Sequence, residues 1–306
     1  MRALEITNYG GAEVMKVTND AASPAAPAAG QVIVKVAAAG VNPVDWKIRE
    51  GYMREFMPLT FPAILGNEIA GTVEAVGPEV TGLAVGDAVY GATGMLGGFA
   101  ESVALKAELL VLKPETVSFI EAAALPVAAA TATVALDTAE VKAGTRILIH
   151  AAAGGVGSIA VQLAKLRGAD VTALASAGNL DFVRELGADH VVDRDSDYER
   201  TLGDFDVVLD GHGPEAQARS WGLLRKGGIL VSLVAPPSEA LAAEHGVRAT
   251  MVYGTPTQAA LSAFNALLAA GKIKVTVSQT YPLETAVAAF VESQTGKVRG
   301  KLIVTF

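Results

Sequence analysis

Three closely spaced glycines in the stretch "HAAAGGVGSIAVQ" have the spacing of a phosphate-binding turn. Gly154, Gly155 and Gly157 lie between an apolar run and an amphipathic one. Glycine lets the backbone approach a pyrophosphate closely, and the start of a helix offers free N–H groups to an anion. The common dinucleotide fingerprint is GxGxxG, and Ala152 stands where its first glycine would be. We therefore expect a dinucleotide to contact Gly154, Gly155, Val156 and Gly157.

The loop "SAGN" decides which dinucleotide is expected. An acidic residue about twenty positions after the glycine turn normally binds the ribose of NAD and would repel a 2′-phosphate. Ser176 stands there instead, and Asn179 follows it. A hydroxyl and a side-chain amide tolerate a phosphate, and Arg194 or Arg184 would add positive charge. The loop favours NADPH, although Ser176 as an ordinary turn residue and Asn179 as a helix cap are alternatives.

The two parts of the chain have different hydrophobic patterns. Residues 1–117 contain short alternating runs bounded by glycine and proline, which indicates a mostly antiparallel β-domain. Residues 118–272 contain six apolar strands separated by helical segments, which is typical of an α/β fold with a doubly wound parallel sheet. Residues 273–306 predict one helix and two strands, and we assign them to the first domain.

Composition excludes several functions. The formal net charge is −8 without a basic stripe, so nucleic acid is not an expected partner. The chain has no cysteine, which excludes thiolate metal sites and agrees with a reducing, cytoplasmic environment. No apolar run has the length of a signal-peptide core or a membrane span, so we expect no membrane partner.

Several motifs occur in the order seen in a known superfamily. They are "GVNPVDWK" from Gly40, "ILGNEIAGTVEAVG" from Ile64, "VGDAVYG" from Val85, "ALPVAAATATVAL" from Ala124 and "GKVRGKLIV" from Gly296. With the glycine turn, they make the chain resemble the zinc-free quinone oxidoreductase branch of the medium-chain dehydrogenases/reductases. The resemblance implies a GroES-like β-domain plus a Rossmann domain with a cofactor cleft between them. It also implies reduction of quinones or activated C=C bonds by NADPH.

The chain departs from the zinc alcohol dehydrogenases at two ligand positions. Those enzymes have a cysteine where Asn42 stands and a histidine where Asn67 stands, and asparagine is a poor zinc ligand. The four histidines have no metal-ligand spacing, and His150, in a core strand, is interpreted as a buried, hydrogen-bonded residue. We expect no metal and interpret Glu68 as structural. Without a Lewis acid to stabilise an alkoxide, alcohol oxidation is disfavoured.

The resemblance also implies roles for individual residues. It puts Asn42 and Asp45 beside the nicotinamide ribose with Lys47 close by, and Thr131 near the cofactor phosphates. Lys301 either reaches a cofactor phosphate or only flanks an edge strand. Because ligands bind at the carboxyl ends of parallel strands, backbone groups after the fifth strand should face the nicotinamide, at Leu233, Val234 and Ala235. The candidate donors to a developing oxyanion are Asn42, Lys47, Tyr52 and Tyr253, of which the first three are preferred as catalytic residues.

Two other functions and an assembly state are also considered. An NAD-linked alcohol dehydrogenase is opposed by Asn42, Asn67 and Ser176. A non-catalytic NADPH-binding redox sensor or structural protein stays open, because no residue is an unmistakable nucleophile or acid. We expect a homodimer, because the segment "GGILVSLV" from Gly227 is a strand near a possible sheet edge and exposed edges invite pairing.

Overall fold

The chain forms two compact units in the computed structural model, which describes residues 1–306. The first unit contains Met1–Val127 and Pro256–Phe306, and the second contains Ala128–Thr255. From the sequence pattern, residues 118–127 and 256–272 are expected in the cofactor-binding domain. In the structure both segments pack within the first unit.

Strands dominate the N-terminal part of the first unit. Its antiparallel strands alternate between a buried and a solvated face; in the strand Ser102–Lys106, for example, Val103 and Leu105 point inward. The elements in chain order are β1 (Ala3–Ile6), β2 (Met15–Thr18), β3 (Gln31–Val41), α1 (Pro43–Arg49), β4 (Ala63–Ile64), β5 (Glu68–Val76), β6 (Ala88–Ala92), β7 (Ser102–Lys106), β8 (Leu110–Leu112) and α2 (Phe119–Ala123).

The second unit is built around a parallel sheet. Its strands are nearly continuous apolar runs, as is typical of parallel sheets that are buried on both faces. The elements are α3 (Pro126–Thr138, whose first two residues belong to the first unit), β9 (Arg146–Ile149), α4 (Gly155–Leu166), β10 (Asp170–Ala175), α5 (Leu180–Glu185), β11 (His190–Asp193), β12 (Phe205–Asp210), α6 (Pro214–Ala218), β13 (Leu224–Ser232), α7 (Glu239–His245) and β14 (Arg248–Met251). The strand order is β11-β10-β9-β12-β13-β14 and every pairing is parallel, which confirms the predicted doubly wound fold.

The C-terminal segment completes the larger, seven-stranded sheet of the first unit, whose other sheet has the order β2-β1-β4. It contains α8 (Gln258–Ala269), β15 (Val277–Pro282), α9 (Ala286–Gln294) and β16 (Lys301–Thr305). The order is β15-β16-β3-β5-β6-β8, with β7 also paired to β3, and Leu302 of β16 lies opposite Val41 of β3. The Tyr90 hydroxyl bonds Asn265 Oδ1 at 2.7 Å, which attaches α8 to β6. Helix α2 packs on β3 and β5, so both reassigned segments have their partners in this unit.

The strand expected near a sheet edge is the neighbour of the edge strand. The segment "GGILVSLV" forms most of β13, which lies between β12 and β14, so its own edges are both paired. The edge strand on that side is β14, because its short run "RATM" adds one more parallel strand. None of the helices has the length and apolar character needed to cross a bilayer.

Candidate active site

The glycine turn connects β9 to α4 at the point where the strand order reverses. Gly154 is the N-cap of α4, and Gly155, Val156 and Gly157 are its first three residues. A Cβ atom at Gly157 would lie 2.1 Å from the carbonyl oxygen of Ala151, so glycine is needed for this close helix–strand approach. The first N–H groups of α4 have no partner inside the helix, and α4 begins shortly after the carboxyl end of β9. This cradle fits a pyrophosphate.

The predicted phosphate-binding groups follow β10 and β11. Asn179 Nδ2 donates to Ser176 Oγ at 3.0 Å, and the Asn179 side chain makes no capping hydrogen bond to the next helix. The backbone N–H of Arg194 donates to the carbonyl oxygen of Ala175 at 2.9 Å, which brings Arg194 beside Ser176. The Arg194 side chain is 34% exposed, and its Nε lies 3.7 Å from Asp195. The structure thus brings a hydroxyl, an amide and a guanidinium to one edge of the sheet.

Residues 233–235 follow β13 at the same carboxyl edge. The N–H of Leu233 donates to the carbonyl oxygen of Asp210 at 2.9 Å, and those of the next two residues donate to Ser232 Oγ at 3.3 Å. Gln217 Nε2 donates to the carbonyl oxygen of Ala235 at 3.1 Å. Because these N–H groups are used inside the unit, they are not free to donate to a ligand.

A buried aspartate that sequence reasoning missed supports this edge. Asp210, the last residue of β12, is fully buried. One oxygen accepts the N–H groups of His212 and Gly213 at 2.8 Å, and the other accepts from Gln217 at 2.9 Å and Ser232 at 2.8 Å. Four donors balance the buried carboxylate. An acidic residue that closes an apolar strand before a glycine, as in "VVLDGHG", is the signal that points to it.

His150 is buried and hydrogen-bonded, as its strand position predicts. Its Nε2 lies 3.0 Å from Ser220 Oγ, and that hydroxyl donates its single hydrogen to the carbonyl oxygen of Ala216 at 2.6 Å. Nε2 must therefore carry the hydrogen in the His150–Ser220 bond. Burial lowers the pKa of His150 to about 4, so the ring is neutral at pH 7. We assign His150 a structural role.

Asn42 lies in a buried hydrogen-bond network in the first unit. Its Nδ2 donates to Asn67 Oδ1 at 2.8 Å and to Glu68 Oε1 at 2.7 Å. Its Oδ1 accepts from Lys301 Nζ. Both hydrogens of the amide are thus used, which leaves none for an oxyanion and differs from the predicted donor role. The Lys301 ammonium likewise has buried acceptors, which differs from the phosphate contact that was one alternative for it. In agreement with the other alternative, Lys301 pairs with Val277 of the edge strand β15.

Asp45 is fully buried at the start of α1. Its Oδ2 accepts the backbone N–H of Asn42 at 2.7 Å, while its Oδ1 has no hydrogen-bond partner. Burial raises the pKa of Asp45 to about 7; Lys301 opposes this rise and Glu68 adds to it. The unpartnered Oδ1 leaves one polar atom of this carboxyl group for a ligand hydroxyl, and the ribose contact that the resemblance implies stays a prediction.

Lys47 and Tyr52 both lie close to the Trp46 ring. Lys47 Nζ is 5.7 Å from the centroid of the Trp46 ring, and the Tyr52 ring meets the same ring edge-on at 6.1 Å. Tyr52 is 68% exposed, so its hydroxyl is accessible. The buried Trp46 Nε1 has no partner, and sequence reasoning gave this residue no role. The cluster of Trp46, Lys47 and Tyr52 offers three donors within one short segment.

Thr131 and Tyr253 belong to the second unit. Thr131 is half-buried in α3, where a Cβ at Gly254 would lie 2.2 Å from its backbone nitrogen. Close packing of this glycine therefore fixes the Thr131 backbone. Tyr253 is 74% exposed and its hydroxyl lies 3.4 Å from Met251 Sδ. It is thus an accessible donor on the surface of this unit.

The residues at the zinc-ligand positions do not fit zinc. Zinc prefers thiolate, imidazole and carboxylate ligands. Asn42 and Asn67 offer amide groups, and the Asn42 amide oxygen already contacts the ammonium of Lys301. A second cation at this point would meet strong repulsion. Asn42 therefore hydrogen-bonds to the Lys301–Glu68 ion pair, Asn67 hydrogen-bonds to Asn42, and the two residues do not form a zinc site.

Known proteins resemble this chain over its whole length. The family model described as zinc-binding dehydrogenase matches residues 186–304, and the alcohol dehydrogenase GroES-like domain matches residues 28–115. A 2-methylene-furan-3-one reductase from Solanum lycopersicum is 36% identical over 321 residues, which cover 99% of this chain and 79% of the relative.

Two solved structures share the fold. The quinone oxidoreductase from Coxiella burnetii has a TM-score of 0.92 and 32% identity, and the match covers 100% of this chain and 99% of that one. The Escherichia coli quinone oxidoreductase in complex with NADPH has a TM-score of 0.90 and 29% identity, and the match covers 100% of both chains. Fold and sequence therefore point to the same family.

Proposed function

Because this chain belongs to the quinone oxidoreductase branch of the medium-chain dehydrogenase/reductase superfamily, we propose that it reduces quinones or the C=C bond of α,β-unsaturated carbonyl compounds with NADPH. The observation that carries the proposal is the cradle from Gly154 to Gly157 at the switch point of the parallel sheet. The reductase and quinone oxidoreductase names of the relatives support the substrate class.

The proposed roles are assigned to each unit by itself. In the second unit, the N-terminus of α4 binds the pyrophosphate, Thr131 lies near the phosphates, and residues 233–235 orient the carboxamide of the nicotinamide ring. In the first unit, Asp45 forms a hydrogen bond with a ribose hydroxyl through its unpartnered Oδ1. NADPH, when bound, supplies the hydride.

Lys47 and Tyr52 act on the substrate. Their ammonium and hydroxyl groups donate hydrogen bonds to the oxygen that gains negative charge as the carbonyl compound is reduced. We propose no obligatory general acid, because water can protonate an enolate. We expect Lys47→Ala to lower turnover by about 100- to 1000-fold, the usual loss for one oxyanion donor. NADPH binding should change less than turnover does.

A deuterium transfer experiment tests the reaction. NADPH labelled at the transferable position is incubated with a panel of quinones and enones, and the reduced enone is analysed by mass spectrometry. Label on the β-carbon is expected. Lys35→Ala serves as the control for Lys47→Ala, since Lys35 is a lysine exposed on β3, and it should transfer the label as the unmutated protein does. If NADPH binds tightly but no quinone or enone is reduced above background, a non-catalytic NADPH-binding protein replaces the proposal.

We propose that Ser176, Asn179 and Arg194 bind the 2′-phosphate and make NADPH preferred over NADH. A hydrogen bond to a charged group contributes about 1.5–3 kcal/mol, or at least a tenfold change in affinity. Arg194→Ala should weaken NADPH and leave NADH unchanged, and Ser176→Asp should narrow or invert the preference. Arg200→Ala is the control, because Arg200 is exposed and pairs with Asp197. Equal dissociation constants of the unmutated protein for the two cofactors would refute this assignment.

Assembly and location are also proposals. We propose a two-fold dimer formed through the open edge of β14, since an unpaired strand edge invites pairing and two-fold closure is common. Sedimentation at micromolar concentration checks it, and a monomer there contradicts it. The lack of cysteine supports a cytoplasmic location, which fractionation of the source cells would test.

A further inference from the structure

A buried ammonium group lies at the centre of the first unit's polar network. Lys301, the first residue of β16, is 6% exposed. Its Nζ donates to the carbonyl oxygen of Val41 at 3.0 Å, to Asn42 Oδ1 and to Glu68 Oε1 at 2.6 Å. An ammonium group has three hydrogens, and three acceptors surround this one. Its charge is therefore fully satisfied inside the protein.

The ammonium and the Glu68 carboxylate contact opposite ends of the Asn42 amide. Glu68 is fully buried, and its Oε1 also accepts from Asn42 Nδ2 at 2.7 Å. Its Oε2 accepts the backbone N–H of Val127 at 2.8 Å. A flipped amide would put its NH₂ group against the ammonium and its oxygen against the carboxylate. The ion pair therefore permits one orientation of Asn42.

The orientation of Asn42 is linked to the start of α1. Asn42 is the N-cap of this helix, and its backbone N–H donates to Asp45 Oδ2 at 2.7 Å. Lys301 also bonds the carbonyl oxygen of Val41, the residue before the cap. The ion pair thus holds two consecutive residues that lead into the helix with Asp45 and Lys47.

We propose that Lys301 and Glu68 are positioning residues, which orient Asn42 and the start of α1 for the reaction. The inference rests on the proposed function, because it assigns α1 to the site of hydride transfer. A well-packed apolar pair would stabilise a core at least as well as a buried ion pair does. An ion pair, unlike an apolar pair, also fixes the orientation of the Asn42 amide, because the ammonium binds the amide oxygen and the carboxylate binds the amide nitrogen.

Chemical rescue of Lys301→Ala tests the role of the ammonium. The variant keeps Cβ and lacks a propylammonium group, so we expect n-propylammonium to restore NADPH affinity and turnover, and neutral n-propanol to restore neither. Without the amine, turnover should fall about 100-fold, the loss that a displacement of about 1 Å in a site can cause. Lys297→Ala is the control, because Lys297 is exposed four residues earlier.

A double variant separates positioning from folding. Lys301→Met with Glu68→Gln removes both charges at nearly constant volume, so it should melt near the temperature of the unmutated protein. We expect its kcat to fall while its KM for the quinone changes little. A double variant with normal kcat would overturn the proposal, and so would equal rescue of Lys301→Ala by propanol and propylammonium.

The proposed function can fail separately from this inference. If the unmutated protein reduces no quinone or enone, the reaction assignment fails. The dependence of NADPH affinity on Lys301 and on the added amine is then still measured by fluorescence titration. Loss of affinity in Lys301→Ala that propylammonium reverses supports the positioning role in that case, and unchanged affinity overturns it.

Discussion

Replacing Asp45 by Asn should stabilise the protein increasingly as the pH rises. The Asp45 carboxyl is fully buried, with one oxygen bonded to the N–H of Asn42 and the other without a partner. Burial raises its pKa from the ordinary value of 3.8 to about 7, while Lys301 lowers it and Glu68 raises it further. The folded protein therefore holds this proton over a range in which the unfolded chain has lost it.

The sign and size of the effect follow from proton linkage. Between pH 3.8 and about 7 the folded state binds more protons at Asp45, so the free energy of unfolding falls as the pH rises and levels off above 7. One pKa unit corresponds to about 1.4 kcal/mol, so ionisation of Asp45 costs the folded state about 4 kcal/mol at pH 8. An amide has no such titration, and its oxygen can still accept the N–H of Asn42.

Urea unfolding at pH 5, 6, 7 and 8 measures this effect. The difference in free energy of unfolding between Asp45→Asn and the unmutated protein should grow by about 3 kcal/mol over this range. His150, whose pKa burial lowers to about 4, has the opposite pH dependence, but it is present in both proteins and cancels. Asp20→Asn, at an exposed position, should show a constant difference. A constant difference for Asp45→Asn as well would refute the reasoning.

Three further results are expected. Gly157→Ala should lower the free energy of unfolding by about 1–3 kcal/mol, because its Cβ would lie 2.1 Å from Ala151, whereas Gly222→Ala, with open space around it, should change little by the same urea assay. Ser220→Ala should lower the free energy of unfolding by about 1–3 kcal/mol, because it leaves the buried His150 N–H without an acceptor. Thermal unfolding measures this loss, and an unchanged melting temperature would contradict it. Prolonged chelation with EDTA should leave turnover unchanged, and a loss that zinc restores would contradict the metal-free assignment.

Local sequence patterns were sufficient for the cofactor-binding fold. Six apolar runs became the six parallel strands, and the glycines between two of them became a helix N-terminus. The turn can be predicted from the sequence because the contact that requires glycine is local. A Cβ at Gly157 would clash with Ala151, only six residues earlier in the chain. The same holds for Ser176, whose partner Asn179 lies three residues away.

The place of a strand within its sheet, and the unit to which a helix belongs, could not be predicted as well from the sequence. The run "GGILVSLV" is apolar enough for an edge or an interior strand, and only the addition of β14 made β13 interior. The segment 256–272 has a helical pattern that suits either unit. Bonds from Tyr90 to α8 attach it to the first unit.

The sequence by itself therefore determined the fold class and the glycine turn, because strand and turn patterns depend on near neighbours. Only the tertiary structure decided what Asn42, Glu68 and Lys301 do. Lys301 and Glu68 are 233 residues apart, and they meet because β16 returns to pair with β3 next to β5. Their motif positions suggested a donor role for Asn42, and either a phosphate contact or a place beside an edge strand for Lys301. A buried charge has to be paired with an opposite charge, and strand pairing, rather than spacing in the sequence, decides which opposite charge is close enough.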